Sequence, residues 1–122
     1  MGHTILCIDD HEQGLFVRKI VLERRGYKIL TATSGVRGLA LLQQTPIDAV
    51  ILDYRMEDMD GAAVATMIRR NFPQMPILLL SGYTAEVPKR LSDVVNCVLN
   101  KGQVIPSLEG VLEDLLERRT RN

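Results

Sequence analysis

The sequence predicts an α/β fold with a parallel sheet between layers of helices, and three observations support that prediction. Strand-sized apolar runs alternate with helix-length segments five times along the 122 residues. Runs such as Ala49–Leu52 and Ile77–Leu80 are apolar at every position, as in strands covered on both faces. Between successive runs lies enough chain for a helix to return across the sheet and start a parallel neighbour.

Taken in order, Thr4–Asp9 is a β-branched, apolar run that ends in two carboxylates, a buried strand leading into a loop. From Glu12 to Arg25 the apolar residues Phe16, Val17, Ile20 and Val21 share a helix face, and Gly26 follows where a helix end favours positive φ. Lys28–Thr33 is the second strand, and Ser34–Gln44 a helix with a serine cap that closes before Pro46. Asp48–Asp53 is the third strand and Gly61–Phe72 the third helix. Pro76–Ser81 is the fourth strand. A fourth helix, short or irregular because it holds Pro88, spans Ala85–Asp93. Asn96–Asn100 is the last strand. The last helix covers Pro106–Arg119, with Leu108, Val111, Leu112, Leu115 and Leu116 on one face, and Glu117–Arg121 reads as its solvated end or, in a longer parent protein, as the start of a linker.

The totals limit the classes of function. The length suits one domain over residues 1–122, and 46% hydrophobic with 25% charged residues is an ordinary globular composition. Fifteen basic residues balance fifteen acidic ones, so no global field draws the chain to nucleic acid or to a lipid surface. No run reaches the length of a membrane span and the N-terminus lacks signal-peptide character, which points to the cytoplasm. Cys7 and Cys97 lie inside apolar runs and read as small hydrophobes rather than as a disulfide or metal pair.

Ligands of open parallel sheets bind beyond the carboxyl ends of the strands. There the sequence places Asp9 and Asp10 after the first strand, Asp53 at the end of the third, Ser81 at the end of the fourth and Lys101 after the fifth. Each has an ordinary reading alone, as a cap, a strand end or a surface charge. Their coincidence on one edge does not. Three adjacent carboxylates repel unless a cation lies among them, and hard oxygen ligands suit magnesium. A carboxylate beside such an ion can attack phosphorus, with lysine and a hydroxyl supporting the phosphoryl oxygens.

The pair Asp9-Asp10, the stretch Ile51-Leu52-Asp53-Tyr54-Arg55-Met56 with Met59-Asp60-Gly61, the pair Ser81-Gly82, and Lys101 resemble, in order and spacing, the response-regulator receiver domains of bacterial two-component systems. The resemblance implies a flavodoxin-like (βα)5 three-layer sandwich with strand order 2-1-3-4-5. It implies that Asp53 accepts a phosphoryl group from a histidine kinase or phosphotransfer protein. Magnesium, with manganese or calcium as substitutes, would be ligated by Asp10, Asp53 and the backbone carbonyl of Arg55, with Asp9 acting through water. Lys101 would pair with Asp53 and then with the phosphoryl group, Ser81 would move to hydrogen-bond a phosphoryl oxygen, and Gly82 would offer its N–H. Gly82 also reads as a plain turn glycine, or as a position kept small to leave access to Asp53.

The chain departs from the family pattern in several places. Glu57 stands where proline is common, and reads as a solvated loop residue with Arg55 or metal-bound water as alternative partners. Gly102 replaces the proline that usually follows the lysine, so a trans peptide is expected and the aim of Lys101 is loosely held. Val98 occupies the place of a swinging aromatic. Tyr83 is either an exposed loop residue or a gate at the site mouth. His11 reads as exposed and His3 as merely preceding the first strand.

The leading expectation is therefore a non-enzymatic phosphoacceptor that loses its phosphoryl group by its own catalysis. Such a chain would act on a downstream effector, or on an output domain C-terminal to this chain, as a monomer or weak dimer and without nucleic acid or membrane contact of its own. The alternative is a phosphorylation-independent interaction module. A hydrolase with an aspartate nucleophile ranks below both, for want of a cap domain and a second general acid.

Overall fold

A computed structural model describes residues 2–121, with only the backbone described for 103–107 and 119–121. Five parallel strands, β1 (Thr4–Ile8), β2 (Lys28–Ala32), β3 (Ala49–Asp53), β4 (Ile77–Ser81) and β5 (Cys97–Asn100), pair in the order β2-β1-β3-β4-β5. The helices are α1 (Glu12–Glu23), α2 (Gly35–Gln44), α3 (Gly61–Asn71) and α4 (Val104–Arg121).

Two cores explain why the central strands are apolar throughout. Successive side chains of a strand point to opposite faces. Ile5, Cys7, Ala49, Ile51, Leu78 and Leu80 pack with Leu15 and Leu22 of α1 and Leu108, Leu112, Leu115 and Leu116 of α4. Their neighbours Leu6, Ile8, Val50, Leu52, Ile77 and Leu79 pack on the other face with Leu42 of α2 and Val64 and Ile68 of α3. Each valine, leucine or isoleucine among them that is wholly removed from water contributes about 1.5–3 kcal/mol before entropy is counted. Cys7 belongs to this packing, and burial pushes its thiol up to about 12, which leaves it unreactive. Both cysteines are free.

The helix ends follow the sequence signals. The Ser34 side chain accepts a hydrogen bond from the Arg37 N–H at 3.2 Å, and Asp60 accepts one from the Ala63 N–H at 2.8 Å. Gly26 has φ 94°, the left-handed conformation expected after α1.

Two expectations are corrected. The buried face of α1 is Leu15, Arg18 and Leu22, whereas Phe16 and Val17 of the predicted face are 64% and 47% exposed and Ile20 and Val21 are half-buried. Arg18 turns inward because it pairs with Asp9 at the end of β1, and the helix rotates its apolar stripe accordingly. The helix expected over 85–93 is not α-helical: two 3-10 turns, Thr84–Glu86 and Lys89–Asp93, flank Pro88. Val87 is extended, as the residue before a proline prefers to be, and a continuous helix cannot pass through it. Leu91 is the one buried residue of these two turns.

Among the described residues no helix is long and apolar enough to cross a membrane.

Candidate functional site

Strand register builds the site. Ile8 of β1 lies beside Leu52 of β3, so Asp9 and Asp53 come next on neighbouring strands. Asp53 pairs with Leu80 and Ser81 with Asn100, which brings Ser81 and Lys101 to the same edge. Gly61 lets α3 start close to this edge: a Cβ there would lie 2.7 Å from the Asp53 carbonyl oxygen.

Asp53 is 2% exposed, Asp9 and Ser81 each 1%. Lys101 Nζ lies 2.8 Å from Asp53 Oδ1 and 3.6 Å from Asp9 Oδ2. Asp9 Oδ1 accepts a hydrogen bond from the His11 N–H at 2.9 Å, and Arg18 donates to Asp9 Oδ2. Asp10 Oδ2 accepts a hydrogen bond from the Glu57 N–H at 3.1 Å. Two buried carboxylate oxygens remain without a hydrogen-bond donor, Asp10 Oδ1 and Asp53 Oδ2. His11 Nδ1 lies 3.2 Å from Asp10 Oδ1 but lacks hydrogen-bond geometry to it. Ligand atoms of Asp9, Asp10, His11 and Asp53 all fall within 4.8 Å of one another. Orphaned carboxylate oxygens at that spacing are a donor set a hard divalent cation fits.

The two buried carboxylates titrate in opposite senses. Burial pushes Asp53 above the usual carboxylate range; the Lys101 hydrogen bond opposes that shift and the charge of Asp9 reinforces it. Burial would raise Asp9 as well, but the His11 N–H and the Lys101 and Arg18 cations outweigh it and hold Asp9 below its ordinary value.

Hollows flank the cluster on either side. One, of about 770 Å³, is lined by Asp10, His11, Tyr54, Arg55, Met56, Glu57 and Asp60. The other, of about 300 Å³, opens over Asp53 between Ser81, Gly82, Tyr83, Glu86 and Lys101. A Cβ on Gly82 would meet nothing within 4 Å, so no packing demands glycine there and any added side chain would stand at this mouth.

The structure thus brings Asp9, Asp10, Asp53, Ser81, Gly82 and Lys101 together as the sequence predicts. Lys101 is aimed at Asp53 without the proline, and no cis peptide occurs among the described residues. Asn100 supplies the constraint instead, its Oδ1 accepting a hydrogen bond from the Gly102 N–H at 2.8 Å. The Arg55 side chain pairs with Glu86 rather than Glu57, its Nη2 2.6 Å from Glu86 Oε2. Ser81 Oγ donates to the Tyr83 carbonyl at 2.9 Å and lies 3.0 Å from Glu86 Oε1, with hydrogen-bond geometry to both. Arg18, Glu86 and the backbone of Glu57 were missed by sequence reasoning; the one available signal was Arg18 at helical spacing from Leu15 and Leu22.

Against known proteins, the model of the response regulator receiver domain matches residues 5–102. The chain belongs to the response regulator receiver family. As a receiver it is similar to the transcriptional regulatory protein GlrR of Escherichia coli, 35% identical over 65% of this chain and 18% of that protein. It is also similar to the alkaline phosphatase synthesis transcriptional regulatory protein PhoP of Bacillus subtilis, 32% identical over 75% of this chain and 38% of that protein. The chain therefore spans well under half the length of either relative. Among solved structures, the response regulator TrrA of Thermotoga maritima, in complex with magnesium and beryllium fluoride, is 28% identical with a TM-score of 0.87, over 93% of this chain and 98% of that one. The receiver fold is flavodoxin-like, and its acidic pocket is compatible with magnesium binding and aspartate phosphorylation.

Proposed function

We propose that this receiver takes a phosphoryl group from a histidine kinase or phosphotransfer protein onto Asp53 and thereby changes the surface it offers to an effector. The observation that carries the reading is the state of Asp53. One of its oxygens is fixed by Lys101 at 2.8 Å, the other is buried without a donor, and a mouth of about 300 Å³ opens over it.

In this reading an Asp53 carboxylate oxygen forms the new P–O bond in line with the departing nitrogen of the donor histidine, which keeps the electron pair of the P–N bond. Lys101 remains beside Asp53 and neutralises a phosphoryl oxygen. Ser81 gives up the Tyr83 carbonyl and Glu86 and donates to a second, and the Gly82 N–H serves a third. Asp10, Asp53 and the Arg55 backbone carbonyl would hold magnesium, or manganese or calcium in its place, with Asp9 acting through water; the ion supplies positive charge to the phosphoryl oxygens. The chain hydrolyses its own acyl phosphate but turns over no separate substrate. The reading places one receiver unit over residues 1–122 in the cytoplasm, as a monomer or weak dimer.

Acetyl phosphate with magnesium tests this by intact mass. Wild type is expected to gain one phosphoryl group and Asp53→Asn none; equal labelling of both, or of neither, rejects it. A phosphorylation-independent interaction module is the second reading, favoured by Val98 at the usual aromatic position and by the tethered Ser81 hydroxyl. Partner binding that is unchanged by Asp53→Asn would select it.

A further inference from the structure

Arg18 is the one buried basic side chain among the described residues, and the proposed phosphoryl chemistry does not use it. It occupies the middle of the Leu15–Arg18–Leu22 face of α1, a position that packing alone would give to an apolar residue. Its guanidinium passes over Gly14, where a Cβ would lie 3.5 Å from Nη1, and reaches Asp9 Oδ2. Its Nε is buried without a partner. Burying an arginine in this way is costly unless its charge is used.

The charge acts on Asp9. With His11 N–H on Oδ1 and Arg18 and Lys101 beside Oδ2, both Asp9 oxygens are engaged by the protein. Arg18 and Lys101 together leave the three carboxylates with one net negative charge, where Lys101 alone would leave two. The orphaned oxygens belong to Asp10 and Asp53 only.

We propose that Arg18 is a built-in cation that takes over part of the divalent ion's work: it weakens the water-mediated hold of Asp9 on the metal, so magnesium binds weakly and chiefly through Asp10, Asp53 and the Arg55 carbonyl. The inference rests on the receiver reading. Arg18 is a positioning residue, acting through Asp9 and weakening the water-mediated contact of Asp9 to the ion. A dication entering the site meets the repulsion of this fixed charge at short range, in surroundings that screen it less than bulk water does.

The test is a magnesium binding isotherm on the purified, metal-free chain, by calorimetry and by amide chemical shifts. Arg18→Met is expected to bind magnesium at least ~10-fold more tightly than wild type. Arg18→Lys, which keeps the charge, should stay within about threefold of wild type. Magnesium should also raise the melting temperature of Arg18→Met more than that of wild type, because the ion replaces the lost partner of Asp9. Arg18→Gln, neutral but able to donate to Asp9, carries the same expectation if the methionine variant does not fold. Equal dissociation constants in the neutral variant and wild type overturn the role of Arg18 and leave the receiver reading standing. Absence of any magnesium-dependent shift at Asp10 and Asp53 in every variant overturns both.

Discussion

The carboxyl ends of β1 and β3 and the segment that follows β4 share one edge of the sheet and are held in contrasting ways. Asp9 and Asp53 end strands built almost wholly of buried side chains, and three cationic or N–H groups engage both oxygens of Asp9 and one of Asp53. Residues 83–95 form two 3-10 turns anchored by Leu91 and Val95, with Tyr83 67% exposed. Their link to the site is a polar chain from Arg55 through Glu86 to Ser81. In the proposed reading the acceptor would therefore be positioned by the core, whereas transmission would depend on a few exchangeable hydrogen bonds. A chemical site needs fixed geometry and a response needs a low-cost alternative geometry, and under the proposed function the two needs would be met by different kinds of structure.

The two regions should differ most in stability. Leu52→Ala, at a fully buried site one residue before Asp53, should cost about 2–5 kcal/mol, while Tyr83→Ala should cost less than ~0.5 kcal/mol; chemical denaturation measures both. Similar losses would mean that residues 83–95 are as firmly built as the core. Next in size, Lys101→Ala should slow phosphoryl incorporation by at least ~100-fold, since it removes the cation facing Asp53, as initial rates with acetyl phosphate would show.

A smaller effect follows from the titration of Asp53. Its folded carboxyl is raised above its unfolded value, so its contribution to stability is full below the unfolded value and is lost as pH rises through the folded one. Without metal at neutral pH, Asp53→Asn should therefore melt a few degrees above wild type, and the gain should vanish on acidification into the carboxylate range. Asp9 is shifted the other way, so its pairing stabilises above its unfolded value and is lost as pH falls through its folded one. The smallest change belongs to the segment that follows β4. Glu86→Ala removes one of the two acceptors of the Ser81 hydroxyl, leaving the Tyr83 carbonyl, and should alter the decay of the phosphorylated chain a few-fold, with the melting temperature nearly unchanged. A large loss of stability in that variant would show that the Arg55–Glu86–Ser81 chain is a structural brace.

The legible and illegible parts of the sequence divide along the same line. Apolar runs locate strand ends, and strand ends carry Asp9, Asp10, Asp53, Ser81 and Lys101, so the cluster could be read from spacing alone. The strand order came from the family resemblance. The α1 face could not be read from periodicity, because Arg18 counts as a solvent residue until Asp9 is known to sit above it. Glu57 acts through its N–H, which only proline would lack, so its contact with Asp10 has no side-chain signature. Glu86 lies 31 residues from Arg55, and no local pattern couples them. Pro88 announced an irregular fourth helix, but the split into two 3-10 turns depends on Val87 being extended in the folded chain.

The most direct test of Asp53 as acceptor is reductive trapping. Acetyl phosphate and magnesium are added, the acyl phosphate is reduced with borohydride, and peptide mass spectrometry locates the resulting homoserine. The account predicts conversion at Asp53 alone, abolished by Asp53→Asn and strongly reduced by Lys101→Ala. Conversion at Asp9 or Asp10, or at no residue of the wild-type chain, would contradict it.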